Sequence, residues 1–112
     1  MRDPAIVLSA PAALTNELAA AAAGCEEEGV PSTMVEGTGT ACELAREAAR
    51  ASSLGIGVGI DPERACLVLA AWPETYLAGP LGEARLIGQN AARIATRRPL
   101  LIGARPSLVR RP

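Results

Sequence analysis

The sequence predicts a layered α/β domain, with helices covering a largely parallel sheet. Short apolar runs of strand length alternate with segments whose apolar residues recur every three or four positions. One pair of runs is instead joined by Asp61-Pro62-Glu63-Arg64, with Asp and Pro where a type I turn prefers them. Those two strands must therefore pair antiparallel. At 112 residues the chain suffices for one domain and is too short for two.

Ala5 to Ser9 is an apolar run that reads as a buried strand. Pro11 suits a helix's first turn, where its missing N–H costs nothing. Leu14, Leu18, Ala21, Ala22 and Cys25 then form one apolar stripe, Gly29 ends the helix, and Pro31 forbids its continuation. Ser32 to Val35 is a second, shorter strand. Thr40 and Glu43 make a capping box for the next helix, whose inner face is Ala41, Leu44, Ala45 and Ala48. Glu43, Arg46, Glu47 and Arg50 decorate its outer face, with both arginines toward the end that the helix dipole favours for cations.

Ile56 to Ile60 and Cys66 to Ala71 are the hairpin strands. Trp72 to Gly82, broken by Pro73, Gly79, Pro80 and Gly82, reads as an exposed loop. Glu83 to Arg97 is a third helix with a small-residue face (Ala84, Gly88, Ala91, Ala95), stopped by Pro99. Leu100 to Ile102 is a candidate last strand. The domain is expected to span 1–104, followed by a basic, proline-punctuated tail at 105–112.

Composition excludes several functions. Eleven arginines nearly balance twelve acids, and only Trp72 and Tyr76 are aromatic, so neither a phosphate-seeking field nor a base-stacking platform exists. No apolar run approaches the roughly 20 residues that span a bilayer. Ala22-Ala23-Gly24-Cys25 faintly resembles a lipoprotein cleavage site, but Asp3, Pro11, Asn16 and Glu17 interrupt the segment before it. Cys25, Cys42 and Cys66 form no CxxC pair and are odd in number, which suits reduced thiols in a cytoplasm. The chain has no histidine, so no Ser-His-Asp or Cys-His arrangement exists and no catalytic residues are assigned.

Gly55-Ile56-Gly57-Val58-Gly59-Ile60 lacks the third glycine of a dinucleotide fingerprint and runs into a turn, not a helix. Its glycines instead leave sheet face bare for close approach by an alanine-rich helix or a partner's backbone. Glu26, Glu27 and Glu28 crowd the C-terminal turn of the first helix, where the dipole is already negative. Either this is a solvated charge run, or a partner's arginine, lysine or metal neutralises it. Trp72 and Tyr76 are placed either to anchor a partner or to fold back over the sheet edge.

Gly24-Cys25-Glu26-Glu27-Glu28-Gly29-Val30-Pro31 resembles the G-x-E-E-E-G-[IV]-P segment of the small (beta) subunits of diol and glycerol dehydratase reactivating factors. The resemblance extends through Ala48-Ala49-Arg50-Ala51-Ser52-Ser53, the glycine-rich strand, and Ile87-Gly88-Gln89-Asn90-Ala91-Ala92-Arg93. The same pieces are similar to the C-terminal half of the dehydratase medium subunit, helping enclose cobalamin, which is the alternative identity. Its N-terminal extension has no counterpart before the first strand here, which favours the small subunit.

The resemblance implies a three-layer α/β/α fold with a mixed, mainly parallel sheet of about five strands, one of them an antiparallel hairpin strand. It implies a chaperone-like subunit of an ATP-dependent factor that reactivates adenosylcobalamin-dependent dehydratase by subunit exchange, releasing damaged cobalamin. The ATPase would belong to the large subunit. Partners would be that large subunit and, during exchange, dehydratase subunits, in a cytoplasmic setting or a bacterial microcompartment. The chain would need no cofactor of its own, and magnesium would be shared at the interface, where the family's middle glutamate falls on Glu27. Glu26, Glu28, Trp72, Tyr76, Asn90 and Arg93 are the expected partner-binding residues. The tail and the missing histidines depart from the family, and the substrate, propanediol or glycerol, is not legible.

Overall fold

A computed structural model describes residues 4–72 and 74–101 of the chain. The order is β1 (Ile6–Ala10), α1 (Thr15–Glu27), β2 (Ser32–Glu36), α2 (Ala41–Ala51), β3 (Ile56–Ile60), β4 (Arg64–Leu69), β5 (Thr75–Pro80) and α3 (Ala84–Ala95). Short 3-10 turns, Ala12–Leu14 and Leu81–Glu83, lead into α1 and α3.

The five strands form one sheet in the order β2-β1-β3-β4-β5. β1 pairs in parallel with β2 and β3, and β4 pairs antiparallel with β3 and β5. Four strands thus run one way and β4 alone runs back. The α/β class holds, although the pairings divide evenly between parallel and antiparallel.

Two apolar clusters define the layers. Ile6, Leu8, Val58, Ile60 and Leu67 meet Leu18, Ala21, Cys25, Ile87 and Ala91 of α1 and α3 on one face. Burial of each Ile or Leu contributes roughly 1.5–3 kcal/mol. On the other face, Cys66 and Val68 meet Ala41, Ala45 and Ala49 of α2. Helix α2 lies almost on the sheet backbone. A methyl group at Gly57 would collide with the Ala49 nitrogen, and one at Gly59 with the Ala41 carbonyl. The glycine-rich strand is therefore a packing device, as its alternation predicts. Gly55 differs from its neighbours, turning into β3 at a φ of 71°.

Caps fix the helix ends. Thr40 Oγ1 accepts from the Glu43 amide at 3.1 Å, and Glu43 Oε1 accepts from the Thr40 amide at 3.0 Å. This is the expected capping box.

Two expectations need correction. Trp72–Gly82 is not simply a loop, because Thr75–Pro80 is the edge strand β5. Gly79 and Pro80 are tolerated because an edge strand pairs on one side only, and Pro80 closes it opposite Arg64. Conversely, Leu100 and Leu101 belong to no strand. Asn90 takes up both Leu101 backbone groups, donating to its carbonyl at 3.0 Å and accepting from its amide at 2.6 Å. Ile102 and the 105–112 tail lie outside the described residues.

Candidate functional site

The site begins with a close helix crossing. A methyl group at Gly88 of α3 would strike the Ala21 carbonyl of α1, and one at Gly24 would strike the Arg85 carbonyl. With Cβ absent at both positions, the two backbones touch. Residues within about a turn of these contacts are then brought face to face. Arg85 and Gln89, one turn apart on α3, come to lie opposite the end of α1.

That end is a Schellman turn. The Gly29 amide donates to the Glu26 carbonyl at 2.9 Å, and the Val30 amide donates to the Cys25 carbonyl at 3.1 Å. Gly29 takes the left-handed conformation at φ 81°. Val30 and Cys25 are both buried, which supplies the motif's apolar contact. The turn fixes where the three glutamates point.

They point in different directions. Glu26 is exposed. Glu27 accepts from Arg85 Nη2 through Oε2 and from Gln89 Nε2 at 2.7 Å through Oε1. The Arg85 hydrogen bond leads in holding the Glu27 pKa below its ordinary value, opposed by desolvation and helped by Gln89 and the Arg85 charge. The same pairing raises the Arg85 pKa.

The Glu28 side chain is only 9% exposed, with Arg98 Nη1 at 3.0 Å and Arg93 Nε at 3.3 Å from Oε1. The Arg93 contact is an ion pair and not a hydrogen bond, which leaves that buried Nε without one. Arg98 Nη2 also donates to the Glu28 carbonyl at 2.8 Å, a cationic cap on the negative end of α1. The acidic cluster is therefore not left uncompensated within the chain. Arginines following from α3 neutralise most of it.

The remaining candidates separate. Asn90 is buried and spent on Leu101, and Arg93 Nη1 donates to the Pro99 carbonyl at 3.1 Å. Both hold the segment after α3 against the domain. Trp72 is half exposed and meets Tyr76 edge to face at 5.9 Å between centroids. Tyr76, on β5, packs its body on the α1–α3 side of the core. A shallow cleft beside Trp72 is lined by Arg46 and Arg50 of α2 and by residues 68–71.

The structure thus pairs Glu28 with Arg93 and Arg98 and Glu27 with Arg85 and Gln89, while Glu26 stays exposed and Trp72 meets Tyr76. Arg85, Gln89 and Arg98 are the participants that reading the sequence missed. The four-residue spacing of Arg85 and Gln89 beside Gly88 was their one signal.

Among the described residues, no group of three or more Cys, Asp or Glu side chains could by itself hold a metal ion. One exposed carboxylate, Glu27, is suited to be a single hard-oxygen ligand of an ion completed from elsewhere. Arg85 already supplies a positive charge at that position. No described helix is long and apolar enough to cross a membrane.

Comparison with known proteins gives a consistent picture. The dehydratase medium subunit family model matches residues 3–101. Among solved structures, a glycerol dehydratase reactivase chain superimposes with a TM-score of 0.81 at 26% identity, over 89% of this chain and 98% of that one. A chain from a diol dehydratase-reactivating factor complexed with ADP and Mg2+ gives 0.78 at 23% identity, over 90% of this chain and all of that one. No curated protein matches the sequence.

Proposed function

The chain belongs to the dehydratase medium subunit family, and on that premise we propose that it is the small subunit of a reactivating factor for diol or glycerol dehydratase. The observation that carries this reading is the likeness to the glycerol dehydratase reactivase chain, which is matched over 98% of its length. In the proposed cycle, a large subunit hydrolyses ATP and this chain exchanges places with a dehydratase subunit, so that damaged cobalamin leaves. The chain has no catalytic step of its own. Its setting is the cytoplasm or a bacterial microcompartment.

Glu27 is the proposed contact to a magnesium ion shared with the large subunit. Both its oxygens are occupied by Arg85 and Gln89 in the free chain. A magnesium ion at Glu27 would compete with Arg85 for a carboxylate whose oxygens each keep a second lone pair, and the mostly exposed Arg85 side chain could give way to it. A cation in Arg85's place keeps the carboxylate neutralised throughout. Glu26 and the Trp72–Tyr76 corner are further proposed contacts.

Co-expression with a reactivase large subunit, and separately with a dehydratase large subunit, tests the reading by size-exclusion chromatography. The chain should co-elute with the former. Stable assembly with the dehydratase large subunit around cobalamin would establish the medium-subunit role instead. A homodimer indifferent to both would mark a self-associating module. Turnover of ATP or a diol by the purified chain would overturn the non-catalytic part.

A further inference from the structure

The three thiols are not equivalent. Cys25 is buried on the α1–α3 side of the sheet, where burial pushes its thiol up to about 12 and its Sγ meets the Gly88 carbonyl at 3.5 Å. Cys42 and Cys66 lie on the α2 side, 24 residues apart in sequence, with sulfurs 3.2 Å apart. Cys42 is the second residue of α2 and half-buried. Its sulfur also lies 3.3 Å from Thr75 Oγ1 of β5 and 3.5 Å from Arg64 Nη2 of β4. Cys66, in β4, is fully buried beneath it.

We propose that Cys42 and Cys66 form a reversible oxidation site, closing to an intramolecular disulfide when the chain meets a low-molecular-weight disulfide. A disulfide needs about 2.05 Å between sulfurs, so the pair has only about 1.2 Å to close. The accessible sulfur and the shielded one take different roles. The Cys42 thiolate attacks one sulfur of the small disulfide, forming a mixed disulfide and expelling the other half as a thiolate. Cys66 then attacks the Cys42 sulfur, displacing the second half, and its proton goes to that leaving thiolate. Two protein thiols and one small disulfide become one protein disulfide and two small thiols, with two electrons leaving the protein. Burial, then the neighbouring Cys42, push the Cys66 thiol up to about 12, so the half-buried Cys42 is the sulfur that a small disulfide meets first.

The bond would tie the first turn of α2 to β4, beside Thr75 of the edge strand. Cys25 takes no part, since it lies across the sheet. The inference is independent of the proposed reactivase role.

The test is equilibration of the full chain with mixtures of reduced and oxidised glutathione, followed by denaturing thiol counts and peptide mapping. The parent should lose two of its three thiols, lose two hydrogens in mass, and yield a peptide joining Cys42 to Cys66. Excess reduced glutathione should restore all three. Cys66→Ala should instead retain glutathione on Cys42. Cys42→Ser, a change at a half-buried position, should retain all its remaining thiols even if the Cys66 variant fails to fold. A stable glutathione adduct on Cys42 in the parent, a Cys42-linked dimer, or three unchanged thiols would each overturn the proposal.

Discussion

Asp61 Oδ2 accepts the backbone N–H of Ala41 at 2.8 Å, so the hairpin turn caps a helix that began twenty residues earlier. Asp61 Oδ1 meanwhile accepts the Glu63 and Arg64 amides at 2.8 and 2.9 Å, closing the turn itself. One carboxylate thus couples β3, β4 and α2.

Asp61→Ala should lower unfolding free energy by about 2 kcal/mol, the scale of a lost cap with orphaned amides. Burial raises the Asp61 pKa, but the Ala41, Glu63 and Arg64 amides and the Arg64 charge outweigh it, leaving the pKa below its ordinary 3.8. The sign follows from linkage: stabilisation is present above the unfolded pKa and lost as pH falls through the lower folded value. Denaturant melts should show a constant gap between parent and variant near neutrality, closing below about pH 4. A gap that widened in acid would contradict the assignment.

Gly88→Ala should be destabilising although alanine is the better helix former. Overpacking costs about 1–3 kcal/mol, against about 1 kcal/mol gained in propensity. The collision with the Ala21 carbonyl is with backbone, which cannot rotate aside. Gly82→Ala is the control, because a Cβ there has nothing within 4 Å. Equal melting temperatures for the two variants would mean that α1 and α3 can separate without cost.

Arg97→Gly should stabilise the chain. Arg97 sits at φ 60°, ending α3 in a Schellman turn with the Arg98 amide donating to the Arg93 carbonyl at 2.8 Å. Relieving a left-handed side-chain residue gains about 1–2 kcal/mol, from which glycine's greater unfolded freedom subtracts about 0.5–1 kcal/mol. Chemical denaturation should therefore show a later midpoint. An earlier midpoint would show that the arginine side chain contributes more than its backbone costs.

The three glutamates should respond differently to substitution by glutamine. Glu28→Gln should weaken the isolated domain by about 1 kcal/mol, since it loses its pairing with Arg93 and Arg98. Glu27→Gln should leave the isolated fold nearly unchanged yet reduce calorimetric affinity for a large subunit in magnesium. Glu26→Gln should do little to either. If Glu27→Gln binds like the parent, or all three lose affinity alike, the specific ligand role is wrong.

Where a sequence signal is local, it predicted the structure well. Thr40 with Glu43 marked a helix start, Asp61-Pro62 marked the hairpin, and alternate glycines marked the face that α2 covers. Strand β5 was hidden because Gly79 and Pro80 signal a break wherever a strand must pair on both sides, and β5 pairs on one. Leu100 and Leu101 misled because apolar character alone does not distinguish a strand from a segment pinned by Asn90. The compensation of Glu27 by Arg85 spans 58 residues, beyond any local electrostatic reading. It depends on a helix crossing whose closeness only the paired small residues hinted at.

Gly24, Gly57, Gly59 and Gly88 each stand where any Cβ would run into the backbone of another element. At the level of the gene this is a one-way constraint. Every missense change of a glycine codon adds a side chain, and no smaller residue exists to retreat to. Drift is thereby closed at these four positions, whatever the rest of the chain tolerates. Two descendants could diverge at most of their surface and still share these four bare positions.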